Sequence, residues 1–265
     1  MNGGFYRVKR CNICGAILPL SDEHIPPKSC GNKGKMVVYE LFPELAEISN
    51  IKKRKRFIKQ NGVSFKSICE GCNNARLGAY FDKAFADFYN KSLLVAQSSS
   101  NFSCEIHDIA TKEVVKCIFG KFLAMDSDYN GSAMCEEMRN FIINDIAPAS
   151  MHLYVRYYPY DSIYIARNYG VFPTEQSSYL SECLISVLYY KPLAFVLSDV
   201  QVDWKMPDLI DMVKDGKTDL LFTSNSAYNP STNTILPKDW LLVPHDDSYV
   251  VFTTGNATHL YVDRI

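Results

Sequence analysis

Two pairs of cysteines, with the residues between and beside them, carry the chemistry that this chain announces. Cys11 and Cys14 form one C-x2-C pair and Cys69 and Cys72 another. Between the pairs stands Glu23-His24-Ile25-Pro26-Pro27-Lys28, and Asn73 and Asn74 follow the last cysteine directly. Thiolates at this double spacing suit one tetrahedral zinc site. A histidine titrates near neutrality and can take a proton from water. A carboxylate and a carboxamide oxygen are hard ligands of the kind that hold magnesium or manganese. A base, a hard cation and a zinc staple are together the parts needed to hydrolyse a phosphodiester.

Composition bounds the setting. Nine cysteines among 265 residues is an odd count for a disulfide framework, so the paired spacing reads as metal binding in a reducing compartment. No run of eighteen apolar residues occurs, which argues against a membrane span. The first residues lack the apolar stretch of a signal peptide, and a cytoplasmic location is the expectation. The net charge of −1 hides an asymmetry. Residues 1–83 carry 15 Lys and Arg against 7 Asp and Glu, and the remainder 13 against 22. A basic first third before an acidic remainder suggests that nucleic acid, with DNA first in mind, meets the first part.

Positioning falls to the flanking elements. Residues 5–20 read as strand, knuckle and strand, with Gly15 in the tight turn. Pro26 and Pro27 disfavour a helix after His24. Residues 29–66 are less regular. From Asn73 onward Leu77, Tyr80, Phe81, Ala84, Phe85, Phe88 and Tyr89 recur at three- and four-residue spacing, which predicts a helix capped by Asn73 or Asn74. The polar stretch Gln97-Ser98-Ser99-Ser100-Asn101 predicts a boundary, dividing the chain into a module over 1–97 and a second domain over 101–265. Beyond it, residues 102–109 read as a strand, 111–125 as an amphipathic helix and 135–145 as a second helix. Strands follow over 151–158 and 162–167, with Pro159-Tyr160-Asp161 as the turn between them. A strand pair over 178–189 and 193–197, a short helix over 206–213 and tail strands over 240–243, 249–252 and 259–262 complete the pattern. The fold class is α+β.

In C-x2-C, then Glu23-His24-Ile25-Pro26-Pro27, then C-x2-C-N, the chain resembles the HNH, or ββα-metal, endonuclease superfamily. The likeness covers roughly residues 8–85 and is nearest to the branch with a four-cysteine zinc site, which includes phage Holliday-junction resolvases of the endonuclease VII type. It implies a small zinc-pinned ββα module before the α+β domain, and a metal-dependent endonuclease acting on DNA. By the same resemblance Cys11, Cys14, Cys69 and Cys72 hold a structural zinc, His24 is the general base, and Glu23 and Asn73 bind a catalytic Mg²⁺ or Mn²⁺. Asn74 and Arg76 at the helix start, with Lys28, become phosphate contacts. Many relatives have Asp where Glu23 stands, one methylene shorter. The middle Asn of the pattern, which braces the loop over the base, falls on Asn32, Asn50 or Asn61. Asp82 is either a further ligand or part of a solvated face. Standalone proteins of this kind often serve bacterial or phage conflict, so antiviral defence is an expectation by analogy.

The basic run Lys52, Lys53, Arg54, Lys55 and Arg56 suits the DNA backbone, adding affinity without sequence preference. The second domain offers no such motif. Its histidines (His107, His152, His245, His259) read as structural or surface groups, and its many tyrosines as core and interface packing. Its expected role is targeting, regulation or oligomerisation, through a protein partner, an activating ligand or a second copy of the chain. A competing reading is a non-catalytic adaptor, stapled by zinc, that binds nucleic acid or protein. Such an adaptor needs the four cysteines but not Glu23, His24 and Asn73. RNA in place of DNA also stays open.

Overall fold

The computed structural model describes residues 8–40, 56–99, 101–173, 183–201, 206–224, 249–253 and 259–264. Lys52, Lys53, Arg54, Lys55, Asn50, His245 and the strand expected over 240–243 lie outside the described residues. So do residues 5–7 of the first expected strand.

The first module is built from short antiparallel pairs. β1 (Lys9–Arg10) and β2 (Ile17–Leu18) flank the first knuckle, and Gly15 turns it at a φ of +72°. β3 (Leu20–His24) pairs with β6 (Ser64–Cys69), with Leu20 opposite Cys69 and His24 opposite Ser64. The register shifts between Ser21 and Asp22, which leaves Ser67 as the extra residue on β6. Ser67 then bonds elsewhere: its carbonyl accepts from the Asn12 amide at 3.0 Å and its hydroxyl donates to the Ala124 carbonyl at 2.6 Å. Out of β6 runs a π-helix, Gly71–Phe81, which continues as α1 (Asp82–Ser98). The helix therefore begins ahead of Asn73. Neither Asn73 nor Asn74 caps it, because Glu70 is the N-cap and no side chain closes that end.

Among the described residues between the base and the second knuckle are two further strands. β4 (Met36–Glu40) and β5 (Arg56–Lys59) pair with each other. Beyond α1 come β7 (Ser103–Ile106), α2 (Thr111–Met125), α3 (Ala133–Asn144), β8 (His152–Tyr157) and β9 (Ile163–Pro173). Then follow β10 (Cys183–Tyr190), β11 (Leu193–Ser198), α4 (Leu209–Lys214), β12 (Leu220–Thr223), β13 (Tyr249–Thr253) and β14 (His259–Arg264). The large sheet has the order β5-β4-β14-β9-β10-β11-β8, with β13 also on β9. It takes strands from both sides of the boundary expected at 97–101, since β4 pairs with β14 from Met36 opposite Arg264 to Glu40 opposite Leu260. β7 pairs with β12, a strand the sequence did not signal.

One expected neighbour pair is not formed. β8 and β9 are strands, but they are separated by the tight β10–β11 hairpin. The Tyr158 amide bonds the Pro192 carbonyl at 2.8 Å, so the segment between β8 and β9 crosses the tip of that hairpin.

α2 is the hub of the packing. Thirteen of its fifteen residues are buried, including Lys116 and Lys121. A helix buried on nearly every side belongs to the middle of a core. Gly120 lets the π-helix come close: a Cβ there would lie 2.6 Å from a Leu77 methyl. One apolar cluster runs from Cys11, Ile13 and Ile25 through α2 to Leu188, Phe195 and Val262. A second cluster contains Tyr154, Tyr158, Tyr164 and Tyr189, so these tyrosines are packed rather than displayed. No helix among the described residues is long and apolar enough to cross a membrane.

Candidate functional site

The four knuckle cysteines converge. Their sulfurs all lie within 4.8 Å of one another, and Cys14 Sγ is 3.8 Å from Cys69 Sγ. That is about the edge of a tetrahedron with metal–sulfur bonds of about 2.3 Å, and far longer than a disulfide bond. The cluster fits a metal ion such as zinc. The Cys72 thiol donates to Cys11, and main-chain groups of the knuckles add to it, so Cys11 is held down to about 4 while Cys72 is pushed up. Sulfurs this close cannot all shed their protons unaided, and a dication supplies the compensating charge. The remaining described cysteines make no comparable cluster, and the Cys30 thiol is buried and pushed up to about 12.

His24 closes β3. Its Nε2 lies 3.0 Å from the Asn61 main-chain oxygen. A carbonyl only accepts, so Nε2 carries the proton and Nδ1 keeps its lone pair. Burial lowers the His24 pKa, the Asn61 carbonyl and Asp22 work against that, and the charges of Lys28 and Lys121 add to the lowering. The ring is thus a neutral base at pH 7 with one nitrogen fixed.

Asn32 braces the loop around it. This fully buried amide donates to the Pro26 oxygen at 2.7 Å and the Val63 oxygen at 2.8 Å, and accepts from the Val63 amide at 2.7 Å. Gly62 packs so tightly on it that a Cβ would stand 2.4 Å from Asn32 Oδ1. Of the candidates for the bracing Asn, Asn32 makes the bracing bonds and Asn61 contributes its carbonyl.

Asn73 reaches back to β3. Its Nδ2 donates to Ser21 Oγ and to the Asp22 main-chain oxygen, each at 3.0 Å. Ser21 gives its own proton to the Ile68 oxygen, so it can only accept from Asn73. Both amide protons are spent, and among the described residues Oδ1 has no partner.

Glu23 behaves differently from Asp22 and His24. Successive residues of a strand point to opposite faces. Asp22 is exposed and His24 half-buried, whereas Glu23 is only 3% exposed. Its Oε1 is bound by Lys121 Nζ, which also lies 2.7 Å from Asp82 Oδ1. The Cys117 thiol donates to the same Asp82 oxygen at 3.3 Å. Burial opposes the charge on Lys121, but Cys117, Glu23 and Asp82 outweigh it and raise its pKa. Lys121 is therefore a buried ammonium shared by two carboxylates. Asp82 is part of that buried network, not of a solvated face.

The expected phosphate contacts differ in their surroundings. Lys28 is exposed and close enough to His24 to act on it electrostatically. Asn74 is exposed and bonds Glu70 Oε1 at 3.4 Å. Arg76 has a buried Nη1 with no partner among the described residues. Arg56 opens β5. The sequence missed Lys121. A lysine amid Cys117-Ile118-Phe119-Gly120 and Phe122-Leu123 is the signal of a buried charge.

Two further groups combine histidine and carboxylates. His152 Nδ1 lies 2.6 Å from Asp208 Oδ2, near Asp211, but Asp208 is busy capping α4 through the Ile210 amide. Glu105, His107 and Asp219 cluster on the open surface of the β7–β12 pair. Comparison of the chain with protein-family models, with curated proteins and with solved structures finds no match.

Proposed function

We propose that this protein is an HNH-type endonuclease that hydrolyses DNA phosphodiester bonds with His24 as general base. The observation that carries the reading is the His24 ring, tied through Nε2 to the Asn61 carbonyl with Nδ1 left to accept a proton. A water between Nδ1 and a phosphorus atom loses its proton to the ring as it attacks. Asn32 keeps the Asn61–Val63 loop in register with the base. Lys28, Asn74 and Arg76 offer cationic and amide groups to the phosphate, and the basic first third of the chain draws the backbone in.

The resemblance also calls for a hard divalent cation on Glu23 and Asn73, which when bound offsets charge on the phosphate. Asn73 fits that role through its unpartnered Oδ1. Glu23 does not, because its carboxylate is buried on Lys121. That pair is the observation favouring the competing reading, a zinc-stapled adaptor without catalysis.

Plasmid cleavage with Mg²⁺ or Mn²⁺ decides between them, comparing wild type with His24→Ala and measuring zinc in both. Cleavage by the wild type that His24→Ala loses with zinc intact is the expected result. Equal cleavage by both proteins, or by neither with zinc in place, overturns the nuclease reading.

A further inference from the structure

We propose that Cys14 is an oxidation site: a hydroperoxide joins Cys14 and Cys69 in a disulfide and so frees the metal held by the four knuckle cysteines. The inference concerns the staple alone and does not depend on the nuclease reading. Its readouts are the metal and the sulfur bonds, not cleavage.

The four ligand positions are not alike. Cys14 is exposed, whereas Cys11, Cys69 and Cys72 are buried. A small oxidant arriving from solvent therefore meets Cys14 first. Susceptibility of a cysteine follows thiolate character and exposure together, and a coordinating thiol is deprotonated. Cys14 also has a second sulfur beside it, since its Sγ lies 3.8 Å from Cys69 Sγ. Disulfide sulfurs stand about 2.05 Å apart, so the pair has only a short approach to make. Cys11 and Cys72 are occupied differently. The Cys72 thiol donates to Cys11, and the Cys69 amide donates to Cys11 Sγ at 3.3 Å. Exposure thus selects the sulfur that is attacked, and proximity selects the one that resolves it.

The reaction takes two steps. The Cys14 thiolate attacks an oxygen of the hydroperoxide, the O–O bond breaks, and the leaving alkoxide takes a proton and departs as an alcohol, or as water from hydrogen peroxide. Cys14 is now a sulfenic acid. The Cys69 thiolate then attacks that sulfur, the S–S bond forms, the S–O bond breaks, and the departing hydroxide takes a proton to become water. Two electrons have passed from the two sulfurs to the peroxide. Cys11 and Cys72 alone cannot supply the four ligands of a closed structural site.

The new bond would take over part of the staple's task. Cys14 lies between β1 and β2, and Cys69 ends β6, the partner of the strand that carries His24. The two knuckles stay tethered after the metal leaves, so reduction with zinc present should rebuild the site.

The test exposes zinc-loaded, full-length protein to hydrogen peroxide. A chromogenic chelator follows the zinc released, and alkylation with peptide mass spectrometry maps the sulfur bonds. Cys104 is the internal reference, because it is exposed and stands outside the cluster. Zinc should leave in step with a Cys14–Cys69 disulfide while Cys104 is still largely a thiol, and dithiothreitol with zinc should reverse both changes. Zinc retained after Cys104 has been oxidised overturns the proposal. So does zinc release with a different first disulfide, or from protein whose Cys14 is still a thiol, and so does purified protein that holds no zinc. Cys14→Ser should form no disulfide at Cys69 and should lose the peroxide-dependent part of zinc release. Should that variant bind no zinc, the peptide map of the wild type decides alone.

Discussion

Asn12, inside the first cysteine knuckle, donates through Nδ2 to the Asp126 main-chain oxygen at 2.7 Å and to the Leu123 oxygen at 3.0 Å. Carbonyls at a helix C-terminus have no partners within the helix. The knuckle therefore closes the end of α2, and Arg139 secures it by donating to the Asn12 oxygen at 2.8 Å. Asn12→Ala strands these buried acceptors and should cost about 1–3 kcal/mol in chemical denaturation. Zinc content should stay at the wild-type level, because Asn12 is not a ligand.

Asn32→Ala removes three buried bonds at once. Each stranded group costs about 1–3 kcal/mol, so the loop should loosen even where the rest of the fold survives. Hydrogen exchange at Val63 is the local measure, and plasmid cleavage should fall with it. Slow exchange at Val63 in the variant would count against the bracing role.

Cleavage should depend on pH through His24. The base works when neutral, so the rate rises with pH along an acid limb. Burial and the Lys28 and Lys121 charges place the midpoint of that limb below 6.5. Lys28→Gln removes a positive neighbour, steadies the imidazolium and should move the midpoint upward. The profile of kcat/KM against pH for the two proteins checks both the position and the direction.

Gly120→Ala forces a methyl against Leu77, whose carbon would lie 2.6 Å away. Overpacking of this kind typically costs about 1–3 kcal/mol. The midpoint of thermal unfolding should fall, and Leu77→Ala in the same chain should recover part of the loss by making room.

Stripping zinc with a chelator should unfold more than a loop. Structural zinc in small modules supplies on the order of 10 kcal/mol of apparent binding energy. The knuckle also caps α2, which packs against α1, α3 and α4. Near-ultraviolet circular dichroism, which reports aromatic packing across the chain, should collapse together with the loss of metal.

What could be read from the chain divides by range. The cysteine pairs spell out their own convergence through ligand spacing, and residues 111–125 read as a helix with the bounds seen in the structure, but as an amphipathic one, whereas thirteen of its fifteen residues are buried because both its faces meet other elements of the fold. The strand pair expected over 178–189 and 193–197 was equally legible, and β10 and β11 form that hairpin. The burial of Glu23 on Lys121 was not legible for a reason no local pattern holds: that partner is 98 positions away. The strands β4 and β5 were passed over because β4 takes its second neighbour, β14, from the far end of the chain. The separation of β8 from β9 depends on which hairpin fills the space between them, again a matter of tertiary pairing.

The pairing of β4 with β14 has an engineering consequence. The hairpin that bears His24 is not a cassette to be lifted out at Ser98 and fused to another carrier. Such a fragment would lose α2 from beneath Glu23 and bare one side of β4, an open strand edge that invites aggregation. Transplanting this centre means carrying both ends of the chain with it.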